Sequence, residues 1–442
     1  MTATGMMMKT VCHKIICIIT VCMALAACGS DSTAPVAVET RGGVRQDIER
    51  ENNQACALIK DQLKLIIADD LLASWMLADP QFTPLIDDML ARVSYYTYTT
   101  RQINYTSEDA QGRLIQLSGL LIHPEPKPGQ SLPALPILSI QHATQTVSGT
   151  APSMDINSFQ VKMAGVMACS GYAVLMPDYE GFGISTTMHP YVVSKPLTNS
   201  VIDLIRGVRN LGNNKKFVWN NKLYLMGFSE GGFVTMATAR EIQENLSSEL
   251  NVSAVAPLEG PYDLSGTMRN VMMTDDTFIA PFFLPDALLG YYHAYNDPVF
   301  SPDFTMKAPY NTTVPPLFDG THGMTEINRA LPKIPKQILT DAALNQMSRP
   351  DSQITSYLYN NNAYRWTPRM PMMLFHHTND EIVPYNNATI AKTYFDNAGA
   401  TSVQLHTLTF PSPLPDTLPV HVTGFGPILM KGFLWIDDQN RK

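Results

Sequence analysis

The chain has 442 residues, with 31 Lys+Arg against 39 Asp+Glu and a formal net charge of −8. Hydrophobic residues make up 45% and charged residues 16%, which excludes a disordered or collagen-like chain. The acidic balance leaves no electrostatic footprint for nucleic acid, and no apolar run reaches the roughly 18 residues of a membrane-spanning helix.

Lys9 and Lys14 precede an apolar run from Ile15 to Ala27, which fits a signal-peptide core and is too short for a membrane span. The run ends Leu25-Ala26-Ala27-Cys28-Gly29. Small residues before a cysteine resemble the bacterial lipoprotein cleavage box. That resemblance implies cleavage before Cys28, acylation of its thiol and amine, and a membrane hold through the attached lipid. An ordinary secretory signal cut near Ala27 is the alternative. Gly29 and Ser30 do not resemble an inner-membrane retention signal, which points to the outer membrane. Cys12, Cys17, Cys22 and Cys28 belong to the signal and anchor, leaving Cys56 and Cys169. In an exported protein these two form either a disulfide or two buried thiols. Two cysteines make no zinc site.

Residues 28–45 are small and polar and read as a flexible tether. Residues 46–92 read as a helical segment, with apolar spacing through Leu58, Ile59, Leu63, Ile66 and Ile67. From Val93 to Tyr105 the pattern turns β-branched and aromatic. A turn at Glu108–Gly112 and a second strand, Leu114–Ile122, complete a hairpin. After a Pro-rich stretch, apolar runs at 135–141, 173–176, 223–226, 252–256, 372–375 and 403–410 alternate with helical stretches near 156–169, 197–211, 231–246, 386–397 and 423–436. This rhythm predicts a parallel sheet covered on both faces. The interval 263–370 breaks it, with about 100 residues rich in aromatics, Met and Pro, too long for a loop and read as an inserted helical cap. The core is thus expected over 93–262 and 371–442.

Gly227-Phe228-Ser229-Glu230-Gly231 joins the strand 223–226 to a helix opened by Gly231-Gly232. Gly-x-Ser-x-Gly at a strand-to-helix turn is what a nucleophile elbow requires. The glycines let the helix pass close to the strand while the serine takes a strained backbone. Ser229 is therefore the expected nucleophile, and the Glu230 N–H an oxyanion donor; a structural Gly-rich turn is the plain alternative. A serine needs a general base, and in such sites the chain order is Ser, acid, His. Asp380 follows the strand 372–375 and is the expected acid. Glu381 is its neighbouring alternative, and Glu259 and Asp263 follow the preceding strand, where some hydrolases keep their acid. His421 follows the last strand and is the expected base, whereas His406 lies inside that strand. Thr144, in the loop Gln141-His142-Ala143-Thr144-Gln145, is the expected second oxyanion donor, with Gln145 as fallback. The remaining histidines read as structural or surface residues. His376 and His377 point to opposite faces of a strand and make a poor ligand pair, so no metal is expected.

With the stretch from Gly171 to Gly183, which contains Pro177-Asp178-Tyr179 and continues through Ser185 to His189-Pro190-Tyr191, the chain resembles the α/β-hydrolases. The likeness is to the lipase and esterase group that includes secretory fungal lipases and bacterial exported esterases, and it covers about residues 95–440. It implies an α/β-hydrolase fold with a cap, a small-molecule or lipid ester substrate, and no metal or organic cofactor. It further implies acyl transfer in which Ser229 attacks, His421 moves the proton and Asp380 orients the imidazole. Two positions depart from the family pattern. His142-Ala143-Thr144 stands where the family has His-Gly-Thr, and His376-His377 where it has His-Gly.

Thr277–Pro285 and Ala287–Tyr292 are markedly apolar and suit either an acyl pocket or the core of the cap. A serine peptidase of the same fold is the second reading, although residues 46–134 are too few for the β-propeller that oligopeptidases carry. A binding protein on this scaffold is the third.

Overall fold

The computed structural model describes residues 40–69, 74–95, 97–126, 129–131, 134–212, 217–410 and 418–442. The signal segment and Cys28 lie outside the described residues. Among the described residues one sheet contains β1 (Val44–Ala55), β2 (Thr97–Glu108), β3 (Leu114–Glu125), β4 (Ala134–Gln141), β5 (Ala173–Pro177), β6 (Val218–Phe228), β7 (Val252–Leu258), β8 (Met372–His377) and β9 (Val403–Leu408). Their order is β1-β2-β3-β5-β4-β6-β7-β8-β9. The pairs β1–β2, β2–β3 and β3–β5 are antiparallel, and the pairs β5–β4, β4–β6, β6–β7, β7–β8 and β8–β9 are parallel. The fold is an α/β-hydrolase fold with a mostly parallel central sheet.

β2 and β3 pair along their whole length, from Thr97↔Glu125 to Glu108↔Leu114. The turn between them forms because the Asp109 carboxylate accepts the N–H groups of Gln111 and Arg113, while Gly112 takes φ +82°. Along the central strands apolar side chains alternate between two cores. Leu135, Ile137 and Leu225 join one core with residues of Ser194–Gly212 (α4) and Glu230–Asn245 (α5). Leu138, Ile140 and Met226 join the other with Phe159–Cys169 (α3) and Phe425–Asn440 (α9). Helices therefore cover both faces. From β4 the chain crosses to β5 on one side, then returns to β6 on the other. The loops after β4 and β6 diverge there and leave a crevice at their carboxyl ends.

Between β7 and β8 the described chain is built of short helices, of which α6 (Phe283–Tyr295), α7 (Asp341–Ser348) and α8 (Gln353–Asn360) are the longest. Side-chain caps start several of them: Thr340 accepts the Ala343 N–H and Ser352 the Thr355 N–H. A single antiparallel bridge, Met306↔Leu339, is present there.

Two expectations are corrected. The segment 46–92 is not helical throughout, because Val44–Ala55 is an edge strand followed by Cys56–Asp69 (α1) and, further on, Thr83–Arg92 (α2). β1 carries no alternating apolar signal because its partners are polar. Arg101 of β2 binds Asp47 at 2.6 Å and Glu49 at 2.9 Å, and Asn104 binds Gln46 at 2.6 Å. A charged edge also resists pairing with another chain. Nor do residues 40–45 belong to a loose tether. Arg41 is held by Asp203 at 3.0 Å, and the Gly42 N–H by the Thr106 carbonyl at 2.8 Å. A disulfide joins Cys56, the first residue of α1, to Cys169, the last of α3, with Cα atoms 5.7 Å apart.

Candidate active site

Ser229 stands between β6 and α5 at φ +58°, in the left-handed region that a non-glycine residue occupies only when its surroundings hold it. Its N–H is bound by the Leu258 carbonyl of β7 at 2.8 Å, and its own carbonyl accepts the N–H groups of Gly232 and Phe233. A Cβ at Gly231 would collide with the carbonyl of Gln141, at the end of β4. Glycine there brings the first turn of α5 against the loop carrying Thr144.

His421 comes from the short helix Val420–Thr423. Its Nε2 lies 2.9 Å from Ser229 Oγ and its Nδ1 lies 2.6 Å from Asp380 Oδ2. A carboxylate only accepts, so Nδ1 carries the hydrogen and Nε2 accepts the serine hydroxyl. The imidazole also packs on Phe228, with ring centroids 4.8 Å apart. All three residues are buried, and Ser229 is 5% exposed. Asp380 Oδ1 accepts the N–H groups of Ile382 at 2.9 Å and Val383 at 2.7 Å, and Oδ2 lies 3.3 Å from His376 Nε2. Burial alone would raise this carboxyl. Attraction to His421 and hydrogen bonds from His376 and His421 outweigh it and hold Asp380 below the usual carboxylate range.

The alternative acids do other things. Glu381 accepts the Val420 N–H at 2.8 Å and so fixes the helix that bears His421. Asp263 accepts the N–H and hydroxyl of Thr267. Glu259 is fully buried, with Oε2 3.5 Å from His421 Nδ1 and Oε1 accepting the His377 N–H at 2.8 Å. Burial, then the nearby Asp380 charge, pushes its carboxyl well above the usual range. One polar atom from each of Glu259, Asp380 and His421 lies within 4.8 Å of the others, as metal ligands do. The Nδ1–H donated to Asp380 takes the ring nitrogen that a metal would need. His406 is on β9 against Phe375, with centroids 5.2 Å apart.

Thr144 lines the cavity beside Ser229, as do Ala143 and Gln145. Ala143 does not enter the left-handed region, so its Cβ imposes no strain on this loop. The Pro177-Asp178-Tyr179 stretch buttresses the loop. The Tyr179 ring packs at a tilt on His142, with centroids 4.1 Å apart, and its hydroxyl donates to the His142 carbonyl. Asp178 accepts the hydroxyls of Ser118 and Ser153 at 2.5 Å each. Glu230 follows the serine with its side chain buried, and its Oε1 lies 2.7 Å from His189 Nε2. The other ring nitrogen of His189 faces the Glu180 carbonyl at 2.8 Å. Both partners can accept, so a doubly protonated ring would satisfy both. Burial opposes that charge, but Glu230 and Asp286 outweigh it and raise the histidine above its ordinary value. The sequence reads His189 as a structural or surface residue and gives Asp178 no separate role. Both lie in the motif stretches that carried the family likeness, which was the available signal.

Ser229 and His421 open onto a cavity of about 490 Å³ walled by Phe228, Ile279, Phe282, Phe283, Ile382 and Phe425. A second, smaller cavity of about 70 Å³ lies among Leu264, Met268, Met272, Leu288 and Met347, and shares Phe283 and Ile382 with the first. The apolar stretch 277–285 thus serves both as pocket wall and as cap core. Among the described residues the larger cavity has no acidic side chain in its wall.

Residues 153–439 match the family model described as secretory lipase. Lipase 4 of Candida albicans is 24% identical over 245 residues, 53% of this chain and 50% of that protein, so the chain spans about half the length of the curated relative it matches. A Legionella pneumophila protein named as a hydrolase superposes with a TM-score of 0.75 at 26% identity, covering 90% of this chain and 98% of that one. The rice cell wall degrading esterase LipA from Xanthomonas oryzae gives 0.73 at 24% identity with the same coverage. Candida antarctica lipase A in its closed state gives 0.59 at 16% identity, over 86% and 78% of the two chains.

Proposed function

The chain belongs to the secretory lipase family, and on that premise we propose that it hydrolyses carboxylic esters through an acyl-enzyme formed on Ser229. The observation that carries this is the unbroken hydrogen-bonded line from Asp380 through His421 to Ser229, ending at an apolar cavity. In this reading Ser229 Oγ attacks the ester carbonyl and His421 Nε2 takes its proton. Asp380 holds the Nδ1–H tautomer and stabilises the imidazolium. The N–H groups of Glu230 and Thr144 bind the oxyanion. His421 returns the proton to the leaving alcohol, and water then releases the acid by the same route. Among the described residues the cavity wall holds no acidic side chain, which favours an uncharged acyl group over a peptide amine.

Export is part of the same reading. The Cys56–Cys169 disulfide fits an oxidising compartment, and acylation at Cys28 would hold the mature protein at a bacterial membrane, the outer one by its Gly29-Ser30 sequence. Growth with labelled palmitate should mark the chain, and Cys28→Ser should abolish the label. An unlabelled wild type would leave export without an anchor.

A fluorophosphonate probe should add one adduct, mapped to Ser229, and none in Ser229→Ala. Acyl ester and aminoacyl amide assayed side by side should show turnover of the ester only. Amide turnover would favour a peptidase, and stoichiometric labelling without turnover a binding protein.

A further inference from the structure

Glu259 and Asp380 leave the ends of neighbouring strands, β7 and β8, and approach the same edge of His421. Their surroundings are unequal. Both oxygens of Asp380 are engaged, by the Ile382 and Val383 N–H groups on Oδ1 and by His421 Nδ1 on Oδ2. Glu259 has one donor, the His377 N–H on Oε1, while its buried Oε2 has no hydrogen-bond partner. That bare oxygen is the one 3.5 Å from His421 Nδ1. A second charge there would be buried and uncompensated, next to a carboxylate of the same sign. A proton on Oε2 removes the conflict. Glu259 is also held at φ +47°, with its N–H on the Phe375 carbonyl at 2.9 Å. A glutamate keeps that backbone only where its surroundings enforce it.

We propose that Glu259 is a positioning residue of the acid side, sharing one proton with Asp380 so that a single charge faces His421, and accepting the Nδ1–H when Asp380 is neutral. This rests on the reading of Ser229, His421 and Asp380 given above. No proton leaves the pair during turnover. Oε2 keeps its own, Asp380 keeps the charge, and His421 gains and returns the serine proton. The titratable groups around Glu259 are Asp380 and Glu381, His376 and His377, His421 and the buried Tyr262.

The test uses the full chain, with kcat and KM on a p-nitrophenyl ester followed across pH for Asp380→Asn, Glu259→Gln and the double variant. Asp380→Asn should lose about 10³–10⁴ in kcat. Its residual rate should climb as pH rises, because Glu259 then releases its proton to solvent and takes the imidazole. Glu259→Gln alone should lower kcat by about threefold to tenfold with KM little changed, and the double variant should fall at least about tenfold below Asp380→Asn and lose the climb. An identical residual rate and pH profile in Asp380→Asn and the double variant would overturn the proposal. Wild-type rates in Asp380→Asn would instead overturn the underlying triad. If Asp380→Asn does not fold, the His421 Nδ1 proton resonance decides. Displacement in Glu259→Gln supports the shared proton, and an unmoved resonance rejects it.

Discussion

Asp380 and Glu259 flank one imidazole and respond to pH in opposite senses. Asp380 is depressed in the folded chain, so its contribution to stability is present above its ordinary value and is lost as pH falls through the folded value. Glu259 is raised, so its ionisation favours the unfolded chain as pH climbs past the ordinary 4.5. Glu259→Gln fixes the neutral form. Its melting temperature should exceed that of the wild type near neutral pH, and the gap should close by about pH 4. A gap independent of pH would mean that Glu259 is ionised in the fold. His189 follows the rule for a raised histidine. Its pairing with Glu230 stabilises fully below the ordinary 6.5 and is lost as pH rises through the folded value. Thermal melts should therefore fall on the alkaline side, and His189→Asn should lower stability at acidic pH while removing that fall. At this scale Ser229, Asp380 and His421 were legible in the sequence because chemistry, spacing and chain order agreed. Glu259 was legible only as an alternative acid after the preceding strand; that it and Asp380 both approach the imidazole was not, since this depends on a backbone conformation that the residue type disfavours.

The elbow is where strand, helix and loop meet at van der Waals distance. Gly231→Ala would drive a methyl into the Gln141 carbonyl, and the cost should exceed about 3 kcal/mol, read as loss of soluble, active protein. A well-folded, active variant would show that α5 can move away from β4. The disulfide ties α1 to α3 across 113 residues. Replacing both cysteines by serine should cost about 2–5 kcal/mol in denaturant unfolding while leaving turnover at room temperature in place. Among the elements, the buried strands could be read because they are continuous apolar runs. β1 could not, because an edge strand satisfied by Arg101 and Asn104 needs no apolar face.

The whole molecule places the carboxyl ends of the central strands beneath a wall of cap residues. Phe283 separates the larger cavity from the apolar space among Leu264, Met272 and Leu288. Phe283→Ala should join them and move the preferred acyl chain to greater length, seen as a rise in kcat/KM for long esters relative to short ones. An unchanged preference would place the acyl group elsewhere. The existence of an inserted segment was legible from its length and broken rhythm, whereas its pocket was not, since Phe and Met serve core and cavity alike. The central claim is tested most directly by turnover of p-nitrophenyl esters from acetate to palmitate, by the wild type and Ser229→Ala in parallel. The account predicts hydrolysis by the wild type, with a single optimum in chain length, and none above background by the variant. Equal rates in the two proteins, or no hydrolysis of any ester by the wild type, would contradict it.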